Sequence, residues 1–211
     1  MTQTSKETVV FVHGLYMTGL EMALLRRRVS QAGFETHQFH YHTVLESVNA
    51  NAQRLADYIA KLDLQTVHLV GHSLGGVVIL RMFESSAKFP PGRVVLMGSP
   101  VRGSVAARSM TRKNWGWLLG QSGPKGLAEE HDPVWNSRRE LGILVGTAGQ
   151  GFNLPRPELA EPNDGIVSAD ETRLPGATDQ IALDVHHTSM LFKSEVAEQV
   201  IQFLKRGKFK H

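Results

Sequence analysis

The segment Gly71-His72-Ser73-Leu74-Gly75-Gly76 carries the chain's most specific chemical signal. A serine hydroxyl is nearly unreactive until a base removes its proton, so a nucleophilic serine must be held where a base can reach it. Strand-to-helix turns of the form G-x-S-x-G do this by forcing the serine into a strained backbone, with glycines two residues away on either side leaving room for close packing. An ordinary glycine-rich turn can show the same letters. Here the β-branched run Val67-His68-Leu69-Val70 precedes the motif and the apolar stretch Leu74 to Phe83 follows it, the context the nucleophile turn requires. His72 is next to Ser73 but points elsewhere on such a turn, so it is expected to pack or to support the turn rather than to act as the base.

Acyl chemistry also needs donors for a developing oxyanion. One is the N–H after the nucleophile, Leu74, at the positive end of a helix. The second is expected from the loop after an earlier strand, and Val12-His13-Gly14-Leu15 ends the first strand in that way. Leu15 N–H is the candidate, with Tyr16 as the neighbouring alternative. The serine's partners should follow in the order acid, then histidine. Downstream of Ser73 the histidines are His131, His186, His187 and His211. His131 precedes the best acid and His211 is terminal, which leaves the pair His186-His187. Asp164, in the tight turn Asn163-Asp164-Gly165-Ile166-Val167, is the favoured acid, with Asp170 and Glu171 as alternatives.

The elements that must position these groups alternate short β-rich runs with helical periodicity, the pattern of a mostly parallel central sheet with helices on both faces. Strands are expected at 9–12, 34–42, 67–70, 93–97, 141–145 and 180–185. Helices are expected at 19–32, with Gly33 as its stop, and at 47–62, 74–83 and 188–204. In the first helix Leu20, Leu24, Leu25 and Val29 fall at helical spacing. Residues 100–140 are the least regular stretch and hold Trp115, Trp117 and Trp135. A structureless loop of that length is unusual, so part of it should be helical and lie across the site as a lid or acyl-pocket insertion. Trp115, Trp117 and Tyr16 are candidate substrate-binding residues, although large apolar side chains more often serve a core.

A length of 211 residues suits a single domain over 1–211. With 41% hydrophobic and 20% charged residues the chain resembles ordinary globular proteins. The net charge of +3 is spread along the chain apart from Arg26-Arg27-Arg28 and the tail from Lys205, which argues against nucleic-acid binding. The absence of cysteine excludes disulfides and thiol chemistry. A polar start without a signal-type apolar region, and no apolar run of membrane-spanning length, lead to the expectation of a cytoplasmic protein with no integral membrane segment. A metal site at His37, His40 and His42 is a rival reading, since His40 and His42 would share one strand face; solvated or core histidines account for them more simply.

Val12-His13-Gly14-Leu15, the Ser73 motif, Asp164-Gly165-Ile166-Val167 and His187-Thr188-Ser189-Met190-Leu191 together resemble the α/β-hydrolases, and particularly the small bacterial lipases of minimal fold. The likeness runs from about residue 9 to about residue 204 and implies the α/β-hydrolase fold. It also favours His187 over His186 as the base, because in those lipases the catalytic histidine is followed three residues later by an apolar residue opening the last helix. Ser99 to Ser104 is similar to the small-residue segment that borders the acyl site. Residues 100–140 do not align with a minimal lipase. The resemblance implies a serine hydrolase of carboxylic esters, lipase- or esterase-like, acting on a small-molecule or lipid ester through an acyl-enzyme with no cofactor or metal. Thioester hydrolysis and acyl transfer use the same machinery, and a non-catalytic binding protein on this fold is the remaining alternative.

Overall fold

The structure, a computed structural model, describes residues 7–85, 88–149 and 159–211. Six parallel strands form one sheet in the order β2-β1-β3-β4-β5-β6, with β1 at Thr8–Val12, β2 at Glu35–Phe39, β3 at Val67–His72, β4 at Val94–Met97, β5 at Leu141–Gly146 and β6 at Asp179–Leu183. Strand β1 is buried along its whole length because helices cover both faces of the sheet. Its alternation divides the core: Val10 and Val12 join the cluster under α2 (Val48–Leu62) and α3 (Leu74–Phe83). Val9 and Phe11 join the cluster under α1 (Ala23–Gln31) and α5 (Ser194–Arg206).

The chain leaves β1 for β2 on one side and returns to β3 on the other, so β1 and β3 flank the point where strand order reverses. In open α/β sheets the crevice beyond the strand ends at such a point is where ligands bind. Register then sets the neighbours: Val12 lies opposite Gly71, so the His13-Gly14 step runs alongside His72-Ser73.

Several elements differ from their expected bounds. Strand β2 stops at Phe39, ahead of the expected end at His42. The stretch from Gly19 opens as a short 3-10 turn, Leu20–Met22, which leaves Leu20 exposed and Leu24 partly so instead of in the core; Leu25 and Val29 are buried as expected. Gly33 ends the segment with a φ of 106°, which few other residues adopt. Ser47 caps α2 by accepting the Ala50 N–H, and Ser104 caps α4 (Val105–Arg112) by accepting the Ala107 N–H. The last helix does not run unbroken from Thr188: a 3-10 turn at Ser189–Leu191 precedes α5. There the Ser189 hydroxyl accepts the His186 N–H and donates to its carbonyl, a local alternative to helical bonding. Within 100–140, helix α4 is followed by 3-10 and π turns at Gly116–Ser122 and Gly123–Leu127, and the remainder is irregular. No helix among the described residues is long and apolar enough to cross a membrane.

Candidate active site

Ser73 joins β3 to α3 with φ 54° and ψ −123°, a conformation that non-glycine residues avoid and that persists only where packing enforces it. The enforcement is visible in the flanking glycines. A Cβ on Gly71 would meet the Gly76 backbone at 2.7 Å, and one on Gly75 would lie 2.1 Å from the Val12 carbonyl oxygen and 2.6 Å from that of His13. Helix α3 therefore starts in contact with both β3 and the end of β1. The Ser73 N–H donates to the Met97 carbonyl, fixing the turn to β4 as well. Ser73 itself is partly exposed.

Gly14 lies beside the serine; a Cβ there would stand 3.1 Å from Ser73 Cβ. Its loop is held by Tyr41, whose buried hydroxyl donates to the His13 carbonyl at 2.6 Å while its ring stacks on His13. Burial pushes the Tyr41 hydroxyl pKa up and the His13 pKa down, so both stay uncharged near neutrality. The Tyr16 N–H donates to Thr43 Oγ1, whereas Leu15 lies between that anchored residue and Gly14. At Leu74, the first residue of α3, the N–H has no acceptor one turn back within the helix.

Asp164 and His187 meet in a buried ion-pair geometry: His187 Nδ1 donates to Asp164 Oδ2 at 2.7 Å, and both side chains are over nine-tenths buried. Asp164 Oδ1 accepts the N–H groups of Ile166 and Val167, and the Asp164 carbonyl accepts the His187 N–H. Of the other candidates, Glu171 accepts the N–H groups of Ser168 and Val105, and His131 pairs with Glu84. His187 approaches the Ser73 turn through His72, with ring centroids 4.7 Å apart. Gly98, at φ 52° just after β4, lets the pair sit this close to the sheet; a Cβ there would lie 2.9 Å from Asp164 Oδ2 and 3.2 Å from His187 Nδ1. Thus Ser73, the Gly14-Leu15 loop, Asp164 and His187 gather at the carboxyl ends of the strands.

The aromatic candidates do not form an enclosed wall. Tyr16 and Trp115 are each 59% exposed and Trp117 75%, with Leu45 exposed nearby. They share one surface because the Tyr16 hydroxyl donates to the Leu118 carbonyl and the Gln121 N–H donates to that of Val44. Beside them a recess of about 400 Å³ runs along His13, Tyr16, Tyr41 and Thr43. Trp135 is instead buried near the other end of the sheet, its ring against Phe83 and its Nε1–H donating to the Arg139 carbonyl. A larger recess, about 1450 Å³, opens there among Glu7, His68, Phe89 and Arg139, at the strand beginnings and away from Ser73. His37 is bonded to Glu35 and Tyr58 and His40 to the Thr18 carbonyl, and no group of three metal-binding side chains occurs among the described residues.

One contributor leaves little mark in the sequence: Tyr41 reaches His13 from the loop after β2. His72, expected to pack or to support the turn, donates from Nε2 to the main-chain carbonyl of His187 at 3.0 Å. The period of two along β3 was the available hint for His72, since it puts that residue on the face opposite Gly71 and α3.

The sequence profile of a family described as the alpha/beta hydrolase family matches residues 9–194. Solved structures share the fold. A lipase of Bacillus licheniformis, BlEst2 in mature form, is 22% identical with a TM-score of 0.67, over 89% of this chain and 87% of that one. An esterase of Exiguobacterium antarcticum is 15% identical with a TM-score of 0.68, over 95% and 92%. The RedJ thioesterase of Streptomyces coelicolor is 12% identical with a TM-score of 0.62, over 95% and 85%. At these identities the likeness is one of fold. No curated protein matches the chain in sequence.

Proposed function

Because the chain belongs to the α/β-hydrolase family, we propose that it is a serine hydrolase of carboxylic esters, with Ser73 as nucleophile, His187 as base and Asp164 as the acid that orients it. The observation that carries this reading is the buried 2.7 Å contact between His187 Nδ1 and Asp164 Oδ2, in the same crevice as a serine held at positive φ. The carboxylate selects the tautomer that leaves His187 Nε2 as an acceptor and stabilises the imidazolium once it forms.

In this mechanism Nε2 takes the Ser73 proton as Oγ attacks the ester carbonyl. The N–H groups of Leu15 and Leu74 hold the oxyanion, and the α3 dipole adds to its stabilisation. The imidazolium passes its proton to the departing alcohol, leaving an acyl-serine. Water, deprotonated by His187, then releases the acid and restores the serine.

The exposed Tyr16, Trp115, Trp117 and Leu45 surface beside the crevice supports an acyl group with an apolar chain. The segment 100–140 is in this reading the part of a single domain that shapes that surface. Hydrolysis of a nitrophenyl ester series tests the proposal: turnover is expected in the wild type and lost in Ser73→Ala, and an equally active Ser73→Ala protein refutes it.

A further inference from the structure

His72 occupies the variable position before the nucleophile, is fully buried, and has no place in the proton transfers described above. We propose that His72 is a positioning residue for His187, tying the main chain of the base to the nucleophile turn through its Nε2–H. The proposal rests on the hydrolase reading for its catalytic consequence and on geometry for the tie itself.

The hydrogen bond has one possible direction. A carbonyl oxygen only accepts, so His72 carries its proton on Nε2 and donates to the His187 carbonyl at 3.0 Å. That contact completes a set around the base. The His187 N–H is held by the Asp164 carbonyl, its ring Nδ1–H by Asp164 Oδ2, and its carbonyl by His72. Main chain on both sides and ring on one side are fixed, leaving Nε2 directed by the other three contacts.

The position of His72 makes this tie specific to the chemistry. Its backbone is one residue from Ser73 on β3, while His187 arrives 115 residues later on the loop after β6. A displacement of either element therefore changes the separation of nucleophile and base, to which rate is steeply sensitive. The ring must also stay uncharged, because His187 becomes an imidazolium 4.7 Å away during each half-reaction. Burial, reinforced by the charge of His187, holds the His72 pKa down at about 3, which secures that condition. His72 Nδ1 has no hydrogen-bond partner and lies beside Gly14, so the donor on Nε2 is the ring's single polar anchor among the described residues.

The experiment compares wild type, His72→Gln, whose amide places a donor at a similar reach, and His72→Leu, which has none. Two quantities are read: kcat and KM on a short nitrophenyl ester, and the downfield proton resonance of the Asp164–His187 hydrogen bond. His72→Leu should lower kcat by roughly 100-fold with little change in KM, and should broaden the resonance. His72→Gln should recover most of both. A His72→Leu protein with wild-type kcat and an unchanged resonance overturns the proposal, as does a His72→Gln protein as impaired as His72→Leu. Should His72→Leu fail to fold, His72→Gln decides alone: retained turnover and resonance support the tie, and their loss refutes it. If the wild type itself hydrolyses no ester, the hydrolase reading fails while the resonance still tests the tie.

Discussion

Lowering the pH should destabilise this protein through His72, by an amount the structure allows to be worked out. The side chain is fully buried and its pKa is held at about 3 against 6.5 for a free histidine. Between those values the unfolded chain binds a proton that the folded chain refuses. Unfolding is then favoured as pH falls, and this part of the stability is fully present above about pH 6.5 and lost progressively toward pH 3. At about 1.4 kcal/mol per unit, the effect is roughly 2 kcal/mol by pH 5 and about 5 kcal/mol over the whole window. That is a large share of the 5–15 kcal/mol typical of a domain, as order-of-magnitude figures. His13 and His68, whose pKa values burial also lowers, act in the same direction. The difference between wild type and His72→Gln isolates the one residue. Urea unfolding at pH 7, 6 and 5 should show the wild type losing roughly 2 kcal/mol more than His72→Gln over that range. A difference that stays flat would mean that His72 is charged in the fold or reaches solvent, and would refute the reasoning.

Asp164→Asn should lower kcat by roughly 10,000-fold while leaving the melting temperature almost unchanged. The amide oxygen can still accept the Ile166 and Val167 N–H groups, but its NH2 group faces His187 and selects the wrong tautomer. A variant with wild-type kcat would remove Asp164 from the mechanism. Gly75→Ala places a methyl 2.1 Å from the Val12 carbonyl oxygen, a backbone atom with no rotamer to retreat into. About 1–3 kcal/mol of stability and most of the proposed ester turnover should be lost, as followed by thermal unfolding and a nitrophenyl ester assay; an unperturbed variant would show that α3 and β1 are not pressed together. Replacing Trp115 and Trp117 by serine should leave stability within about 0.5 kcal/mol and reduce turnover of long-chain esters more than of short ones. Equal effects across the chain-length series would exclude this surface from acyl binding.

The legible parts of this molecule are those fixed by local pattern. Thr8–Val12 and Val67–His72 are strands buried on both faces, and their apolar runs carry that information directly. The Ser73 turn announces itself because a strained residue needs glycine at fixed offsets, and Gly71 and Gly75 each fill contacts where a Cβ does not fit. Asp164 stands out in sequence as a carboxylate in a tight turn with apolar residues after it, and in the fold its Oδ1 accepts the Ile166 and Val167 N–H groups of that turn. What pattern could not supply depends on contacts between distant segments. The Leu20 spacing suggested a core position, but the 3-10 turn leaves that side chain in solvent. Trp115 and Trp135 look alike in sequence, yet one is exposed near the site and the other packs on Phe83 at the opposite end. His186 and His187 are adjacent, so residue type alone does not separate them; the resemblance to small lipases favours His187, and the folded loop directs that ring onto Asp164.

The most direct measurement of the central claim is covalent labelling with a fluorophosphonate, followed by intact-mass and peptide mapping. A single adduct on Ser73 is predicted in the wild type, with none in Ser73→Ala and much slower labelling in His187→Ala. An adduct on another residue, or a folded wild-type protein that takes no label, would contradict the assignment of Ser73 as the nucleophile.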